Sequence, residues 1–390
     1  RDRDVTGVQT CALPIFLMPR WGQVPAAVVS LLSAHLAFTG LTLGIMLSTR
    51  RPFFIGLSGG FSRLTHWHRV NGILSGLLLL CSAVTAYAAG RTDGAVGESG
   101  PTLAAAALLF LLIIGLSLAR RLPYEIWRVS HRMVLIVWLL VFWAMLVETP
   151  DRYGRLTPAL VWAVVQLAAG FMAWIDIAWL RRRRALTATV TAVTYPSGKD
   201  CELVVVTERP VKVEAGQFFF VRVDQNGFER GTHPLSIGAI GDQVLSFVIR
   251  STSGDWSHQV YEQVRVGDQL LLDGPYGELQ FRHGFSEQVW VADGIGIVPF
   301  ISCLRQLSDE EQRRKQAGRP SARDRSRLGE LDKPKQAVPG LPKSILLYYS
   351  YPGRDMAAFR PQLEIWQDEL PQLSVRFIDT SQRQRLEPDE

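Results

Sequence analysis

Cysteine is scarce in this chain of 390 residues. Cys11, Cys81, Cys201 and Cys303 are its four cysteines, scattered and with no CxxC pair, so neither a disulfide framework nor a zinc site is indicated. Charge is thin as well, at 20% of residues, against 47% hydrophobic residues concentrated in the first half. A secretion leader is also lacking. The opening RDRDVTGVQTCALPI has neither the basic start and apolar core of a signal peptide nor an amphipathic period. It reads like translated sequencing-adapter read-through, so residues 1–20 are expected to be a non-native or disordered tail outside the fold. The net charge of +6 does not point to nucleic acid, because its clusters flank apolar stretches as the cytoplasmic ends of membrane spans do.

The apolar first half contains five stretches of the length needed to cross a bilayer, about 20 residues each. They cover roughly residues 24–48, 66–89, 102–119, 130–147 and 158–180 and define an all-α helical bundle over 24–182. Arginines are unevenly shared among the connections. Arg50, Arg51 and Arg63 lie in the first, Arg120, Arg121 and Arg128 in the third, and Arg181, Arg182, Arg183 and Arg184 follow the last span. The second and fourth connections balance their arginines with acids. Lys/Arg excess marks the cytoplasmic side, which places everything after Arg184 in the cytoplasm and makes the chain a multi-pass protein of the cell (inner) membrane. The same alternation starts the first span outside, and so calls for one further span upstream.

Ionisable side chains within spans are costly and suggest function. His68, in LTHWHRVNG, opens the second span, and His131, in YEIWRVSHRM, opens the fourth. Both spans run outward, so the two imidazoles lie at matched depth near the cytoplasmic face. Haem iron takes one axial imidazole from each side, and this pair fits that need, with Arg69, Arg128 and Arg132 available to the propionates. The alternative is a pair of interfacial histidines beside arginines. His66 lies about 200° around the helix from His68 and cannot share its face. His35 has no evident partner and reads as packing or an interhelical hydrogen bond.

After Arg184 the pattern changes. From 186 to about 284, short alternating runs such as CELVVVT, GQFFFVRV and QVLSFVIR predict an antiparallel β-barrel. From 288 to 390, VWVADGIGIVPFISCLRQL followed by SILLYYS predicts a parallel α/β nucleotide-binding unit. It is interrupted over 308–343 by a charged segment, rich in proline and glycine, that is expected to be disordered. Chemistry-bearing residues fall at the turns. His233-Pro234-Leu235-Ser236 offers a hydroxyl on a strand. Ile249-Arg250 offers a cation. Gly254-Asp255-Trp256-Ser257, just before a helix, offers N-terminal amides to a phosphate. Gly294-Ile295-Gly296-Ile297-Val298-Pro299, between a strand and a helix, forms a second phosphate cradle. Ser350 and Arg354, after the next strand, are candidates for an adenosine ribose and a 2′-phosphate; the alternative there is an ordinary loop.

These motifs, in this order, resemble the ferric reductase-like transmembrane domain and the ferredoxin-reductase-type FAD and NAD(P) domains that follow it in NADPH oxidases, ferric-chelate reductases and bacterial relatives. The resemblance covers roughly 24–380. HPLSI looks like the family's HPF(S/T)I, IRSTSGDWS like its IRxxGDWT, and DGPYG like the turn leading out of its barrel. It implies that residues 233–236 contact the flavin, that Arg250 and residues 254–257 bind near the pyrophosphate, and that residues 294–299 receive NAD(P)H, NADPH being the favoured form. It also implies that His68 and His131 hold an inner haem b. Family members carry a second histidine 13 or 14 residues farther along each of those two helices. Here those places hold Cys81 or Ser82 and Ala144 beside Trp143, so one haem is expected, not two. Leu235 replaces an aromatic, Asp293 a glycine and Val298 a threonine. A CGP-type strand near the C-terminus is expected and not found, which reads as a fragment truncated at both ends.

The function expected from the sequence is a membrane oxidoreductase carrying electrons from NAD(P)H through FAD to a haem near the cytoplasmic face. The onward acceptor is ferric iron, oxygen or a quinone. Two alternatives are a haem-free, membrane-anchored flavin reductase feeding a partner protein, and a degenerate regulatory or assembly protein without activity.

Overall fold

The structure is a computed structural model. It describes residues 26–93, 99–119, 124–153, 158–225, 227–228, 231–252, 256–279, 281, 285–317, 342–353 and 358–382. The chain divides between Leu180 and Arg181 into two compact units.

Long apolar runs without proline or charge in their interiors have no low-energy option in lipid except a helix, because every backbone N–H and C=O must be satisfied internally. The first unit follows this rule. Five helices long and apolar enough to cross a membrane cover Ala26–Leu47, Phe61–Ala89, Gly100–Leu118, Ile126–Val147 and Pro158–Leu180. The elements are α1 (Ala26–Leu47), α2 (Pro52–Ser58), α3 (Phe61–Asp93), α4 (Ser99–Leu118), α5 (Tyr124–Arg132), α6 (Val134–Tyr153) and α7 (Pro158–Ile175). The short α2 starts on a proline and stops at Gly59, whose φ of 72° is left-handed, the usual asymmetry of helix ends.

Two details differ from the expected spans. α3 begins at Phe61 rather than near residue 66, which puts His68 well inside a continuous helix. The fourth span is divided at Met133, immediately after His131 and Arg132.

α1 lies at the centre of the bundle, packed against α3, α6 and α7. Its core side chains include Ala34, Phe38 and Leu41, which meet Leu79, Trp138 and Val141, while Leu32, Leu36, Leu77 and Trp162 point outward. Lipid supplies no hydrophobic drive between helices, so small residues and interhelical hydrogen bonds set the seams. Gly40 admits Ser75, and Gly170 admits the ring of Trp138. Ser30 Oγ donates to the Ser82 carbonyl at 3.0 Å, and Ser82 Oγ returns a bond to the Ser30 carbonyl at 2.9 Å. Asn71 Nδ2 donates to the Gly40 carbonyl and Trp138 Nε1 to Thr42 Oγ1. α7 ends in a π-helical turn, Asp176–Leu180, in which the buried Asp176 pairs with Arg51. Wide turns of this kind and ionisable groups inside spans both concentrate at functional or strained positions.

The second unit opens with a four-residue helix, α8 (Arg181–Arg184), and then the expected barrel. Its strands are β1 (Leu186–Thr194), β2 (Asp200–Thr207), β3 (Phe218–Val223), β4 (His233–Ile240), β5 (Val244–Arg250) and β6 (Gln269–Tyr276). They close antiparallel in the order β1-β2-β5-β4-β3-β6, and α9 (Trp256–Gln263) follows β5. Alternate residues fill the barrel, among them Leu203, Val205, Phe219, Val221, Phe247 and Leu270, as a closed sheet with one face inward requires.

A three-stranded parallel sheet comes next, in the order β7-β8-β9. Its strands are β7 (Glu287–Asp293), β8 (Ser344–Tyr351) and β9 (Leu373–Asp379), crossed by α10 (Val298–Ala317) and α11 (Arg360–Glu369). Both helices pack on the face carrying Trp290, Leu347 and Tyr349, through Ile301, Leu304, Leu363 and Trp366. α10 runs ten residues into the segment expected to be a disordered insertion from 308. Leu304 and Leu307 anchor it in the core, and Ser308 Oγ donates to Glu369 Oε2 at 3.0 Å, so charge content alone misplaced that boundary. Residues 318–341 lie outside the described residues.

Candidate functional site

Two places collect the chemistry-bearing side chains, one in each unit.

In the membrane unit, α3 carries His68 and the end of α5 carries His131. Their ring centroids are 6.0 Å apart, at 60°. Trp127, one turn before His131, stacks on its ring at 5.2 Å and 16°, which fixes the imidazole orientation. On each histidine Nδ1 is buried with no hydrogen-bond partner among the described residues. An unpartnered buried nitrogen costs of order 1–3 kcal/mol, and two neighbouring imidazoles, each with such a nitrogen, are the donor set that would hold a haem iron. His66 is exposed, against Trp67. At the outer level Cys81 is exposed, Ser82 is buried in its reciprocal bonds with Ser30, and Ala144 is buried. The Cys81 thiol lies on the exposed surface of α3. Among the described residues no group of three or more His, Cys, Asp and Glu side chains could hold a metal ion.

In the soluble unit, the barrel brings the start of β4, the end of β5 and the start of α9 together. The His233 ring lies on the buried Trp256 ring at 4.1 Å and 8°. Pro234, Leu235 and Ser236 continue β4 in register with Phe220, Phe219 and Phe218 of β3. Ile249 is buried, and Arg250, next along β5, is held by a residue sequence reading missed. Arg250 Nε and Nη2 fork onto Asp200 at 2.7 and 2.9 Å, and Asp200 is fully buried. Ser197 Oγ donates to the same carboxylate at 2.8 Å. The hydrogen bonds to Asp200 hold the Arg250 guanidinium above its usual pKa. The signal for this pair was the antiparallel register that sets Asp200 opposite Arg250. Ser257 Oγ accepts the Thr252 N–H at 2.9 Å, tying α9 back to β5. Trp256 Nε1 is buried without a partner among the described residues and is a donor that a ligand could engage. Gly254 and Asp255 lie outside the described residues.

The nucleotide turn meets this cluster. Gly294–Ile297 forms a 3₁₀ turn between β7 and α10, so the carboxyl end of β7 and the start of a helix converge, the position where open α/β sheets bind ligands. Gly294 has φ +51°, and a Cβ there would lie 2.9 Å from Arg250 Nη1. Gly296 has nothing within 4 Å of a Cβ, which leaves room above the turn. Ile295 and Pro299 are half-buried, while Ile297 and Val298 are buried. Asp293 accepts a hydrogen bond from Ser350 Oγ, its parallel-register partner on β8. Sequence reading offered Ser350 to a ribose; here it also engages the carboxylate that replaces the family's glycine. Arg354 lies outside the described residues. The turn is secured from behind by Ser302 Oγ, which accepts the Gly216 N–H at 2.9 Å, and by Arg305 Nη1, which donates to the Gly238 carbonyl at 2.9 Å.

Cys201 and Cys303 play no part. Burial pushes both thiols up to about 12.

A side chain at position 294 has to displace Arg250. Gly294→Val is therefore expected to weaken NAD(P)H binding at least tenfold, roughly 1.4 kcal/mol, and, by moving Arg250, to lower the FAD content as well. Nucleotide titration of the full chain beside its FAD content checks this, and parent-like affinity would refute the packing argument.

No family model matches the chain. It is 29% identical over 96 residues to a flavohemoprotein of Pseudomonas putida, covering 24% of this chain and 24% of the relative. It is 28% identical over 225 residues to dual oxidase 2 of Sus scrofa, covering 51% of this chain and 13% of the relative. It is 26% identical over 220 residues to ferric reduction oxidase 8, mitochondrial, of Arabidopsis thaliana, covering 52% of this chain and 28% of the relative. The chain thus spans under a third of the length of each of these three. The dual oxidase and the ferric reduction oxidase are of the ferric reductase-like, NADPH oxidase type that the motifs resemble, and this chain is similar to each of them over about half of its own length.

Proposed function

We propose that the chain is a membrane-bound NAD(P)H-dependent flavin oxidoreductase that passes electrons to a haem b held by His68 and His131. The observation that carries this reading is the meeting of Arg250 and Gly294. It brings the barrel strands expected to hold FAD against the turn expected to hold NAD(P)H. FAD, when bound, supplies the conversion from a two-electron hydride to single electrons. The chain's own residues do the positioning. Asp200 and Ser197 hold Arg250 at the end of β5, beside the amides that open α9, where a pyrophosphate is favoured. His233 on Trp256 forms a flat wall, and Ser236 presents a hydroxyl on β4. Gly294 and Gly296 let a dinucleotide approach the backbone. The arginines that flank the spans support a cytoplasmic position for this unit.

The test is a reduced-minus-oxidised spectrum of the full chain, made with haem supplied, with haem and FAD quantified and with NADPH and NADH each tried as reductant. One b-type haem per FAD, reduced by the nucleotide, supports the reading. Two haems would overturn the ligand assignment, FAD without a Soret band would leave the haem-free reductase, and no flavin reduction by either nucleotide would leave a protein without this activity.

A further inference from the structure

The outer half of the bundle contains an unassigned polar seam. On α1, His35 Nδ1 lies 2.8 Å from the Leu31 carbonyl. A carbonyl only accepts, so Nδ1 carries the proton, and in the neutral ring Nε2 is an acceptor. That Nε2 is buried with no partner. One turn on, Thr39 Oγ1 donates its only proton to the His35 carbonyl at 2.8 Å and accepts from Gln166 Nε2 of α7 at 3.0 Å. This chain of bonds fixes the amide, and Gln166 Oε1 is the atom left over, buried and unpartnered. Gln166 is only 6% exposed.

Among the described residues two acceptors thus lack donors where lipid cannot supply one, and each costs several kcal/mol in hydrocarbon. The flanking residues Leu32, Leu36, Trp162 and Val165 are all more than half exposed on the outer surface, so the seam lies close to the lipid-facing side. An occupant needs hydroxyl donors at one end and an apolar body that tolerates lipid.

We propose that the seam between α1 and α7 holds the headgroup of a hydroquinone, with hydroxyls donated to His35 Nε2 and Gln166 Oε1. The site then names the acceptor left open above, and it rests on that reading for its source of electrons. The balance is NAD(P)H plus a proton plus quinone giving NAD(P)⁺ plus hydroquinone: the hydride's two electrons reach the quinone, and each quinone oxygen takes one proton. A site of acceptors complements the reduced form and so favours reduction of whatever quinone binds. The distance suits the role. Asn71 bonds to Gly40, His68 lies three residues inward of Asn71, and His35 lies five residues outward of Gly40. At 1.5 Å per residue the seam is about 12 Å outward of the His68 level.

The full chain in nanodiscs, titrated anaerobically with a short-tailed benzoquinone and with its hydroquinone, tests this through quenching of tryptophan emission, Trp162 being one turn from Gln166. Saturable binding, tighter for the hydroquinone, is expected. His35→Leu and Gln166→Met, both apolar and suited to a bilayer, should each weaken it about tenfold, one hydrogen bond's worth, and leave NAD(P)H:ferricyanide activity at the parent level. Absence of saturable binding to the parent, or equal affinity in both variants, overturns the proposal and leaves ordered water as the donor. Hydroquinone binding in a protein whose flavin no nucleotide reduces would uphold the site while removing the proposed function.

Discussion

His68→Leu and His131→Leu are each expected to abolish the Soret band of the purified protein while FAD content and NAD(P)H-driven flavin reduction stay at parent levels. The argument rests on pairing. The two imidazoles are neighbours, at 6.0 Å between ring centroids, and iron held by one ring alone loses half its axial field. Leucine fits the span at either place, so the helices need not unfold, and the soluble unit keeps its own core. Retention of a full complement of haem in either variant would sink the assignment, and His66 or His35 would then have to be reconsidered. Cys81→Ser should change nothing, since that thiol lies on the outer surface of α3.

Asp200→Ala should be the most damaging single change in the soluble unit. It removes a fully buried carboxylate and leaves Arg250, whose side chain is 18% exposed, without the two bonds that position it. Breaking a buried pair from one side costs 3–5 kcal/mol, and the partial exposure of Arg250 places this case at about 3 kcal/mol. For a unit of this size that corresponds to a fall in Tm of roughly 6–12 °C. Release of FAD fluorescence on heating the full chain measures it. The double variant Asp200→Leu, Arg250→Met is expected to recover most of the lost stability, because an apolar pair of similar volume replaces a buried ion pair at little cost, yet to bind FAD poorly. Its weak flavin binding would separate what the pair does for folding from what Arg250 does for the cofactor. A single variant that melts within 2 °C of the parent, about the effect of 1 kcal/mol or less, would show the pair to be incidental.

The helices and the barrel were legible because each depends on a pattern carried by neighbouring residues: unbroken apolar runs in one case, period-two alternation in the other. HPLSI, IRSTSGDWS and DGIGIVPF announced the site by their order. What escaped the sequence depends on pairings between distant residues. Asp200 reads as an ordinary strand residue until the β2–β5 register sets it opposite Arg250. Ser350 reads as a ribose ligand, and only the parallel register shows that it also meets Asp293. Asp176 looks like the polar end of a span, and its burial requires Arg51, far upstream, and a turn wider than an α-helix. His35 has no visible partner because Thr39 and Gln166 complete its seam only when α1 meets α7. The end of α10 was lost for the opposite reason: beyond Leu307 the composition is charged, and it hid the bond from Ser308 to Glu369 that ties the helix to α11.

The reciprocal serine bonds that close α1 against α3 also bear on energetics at the scale of the whole membrane. In the family pattern an electron continues to the outer face and so does work against the transmembrane voltage, about 2.3 kcal/mol per charge per 100 mV. Here the outer level is packed with Ser30, Ser82 and Ala144. An electron that goes no farther outward than the α1–α7 seam, and is met there by a proton from the same side, moves no net charge across the bilayer. With the acceptor proposed at that seam, turnover would be electroneutral and its rate insensitive to the membrane voltage.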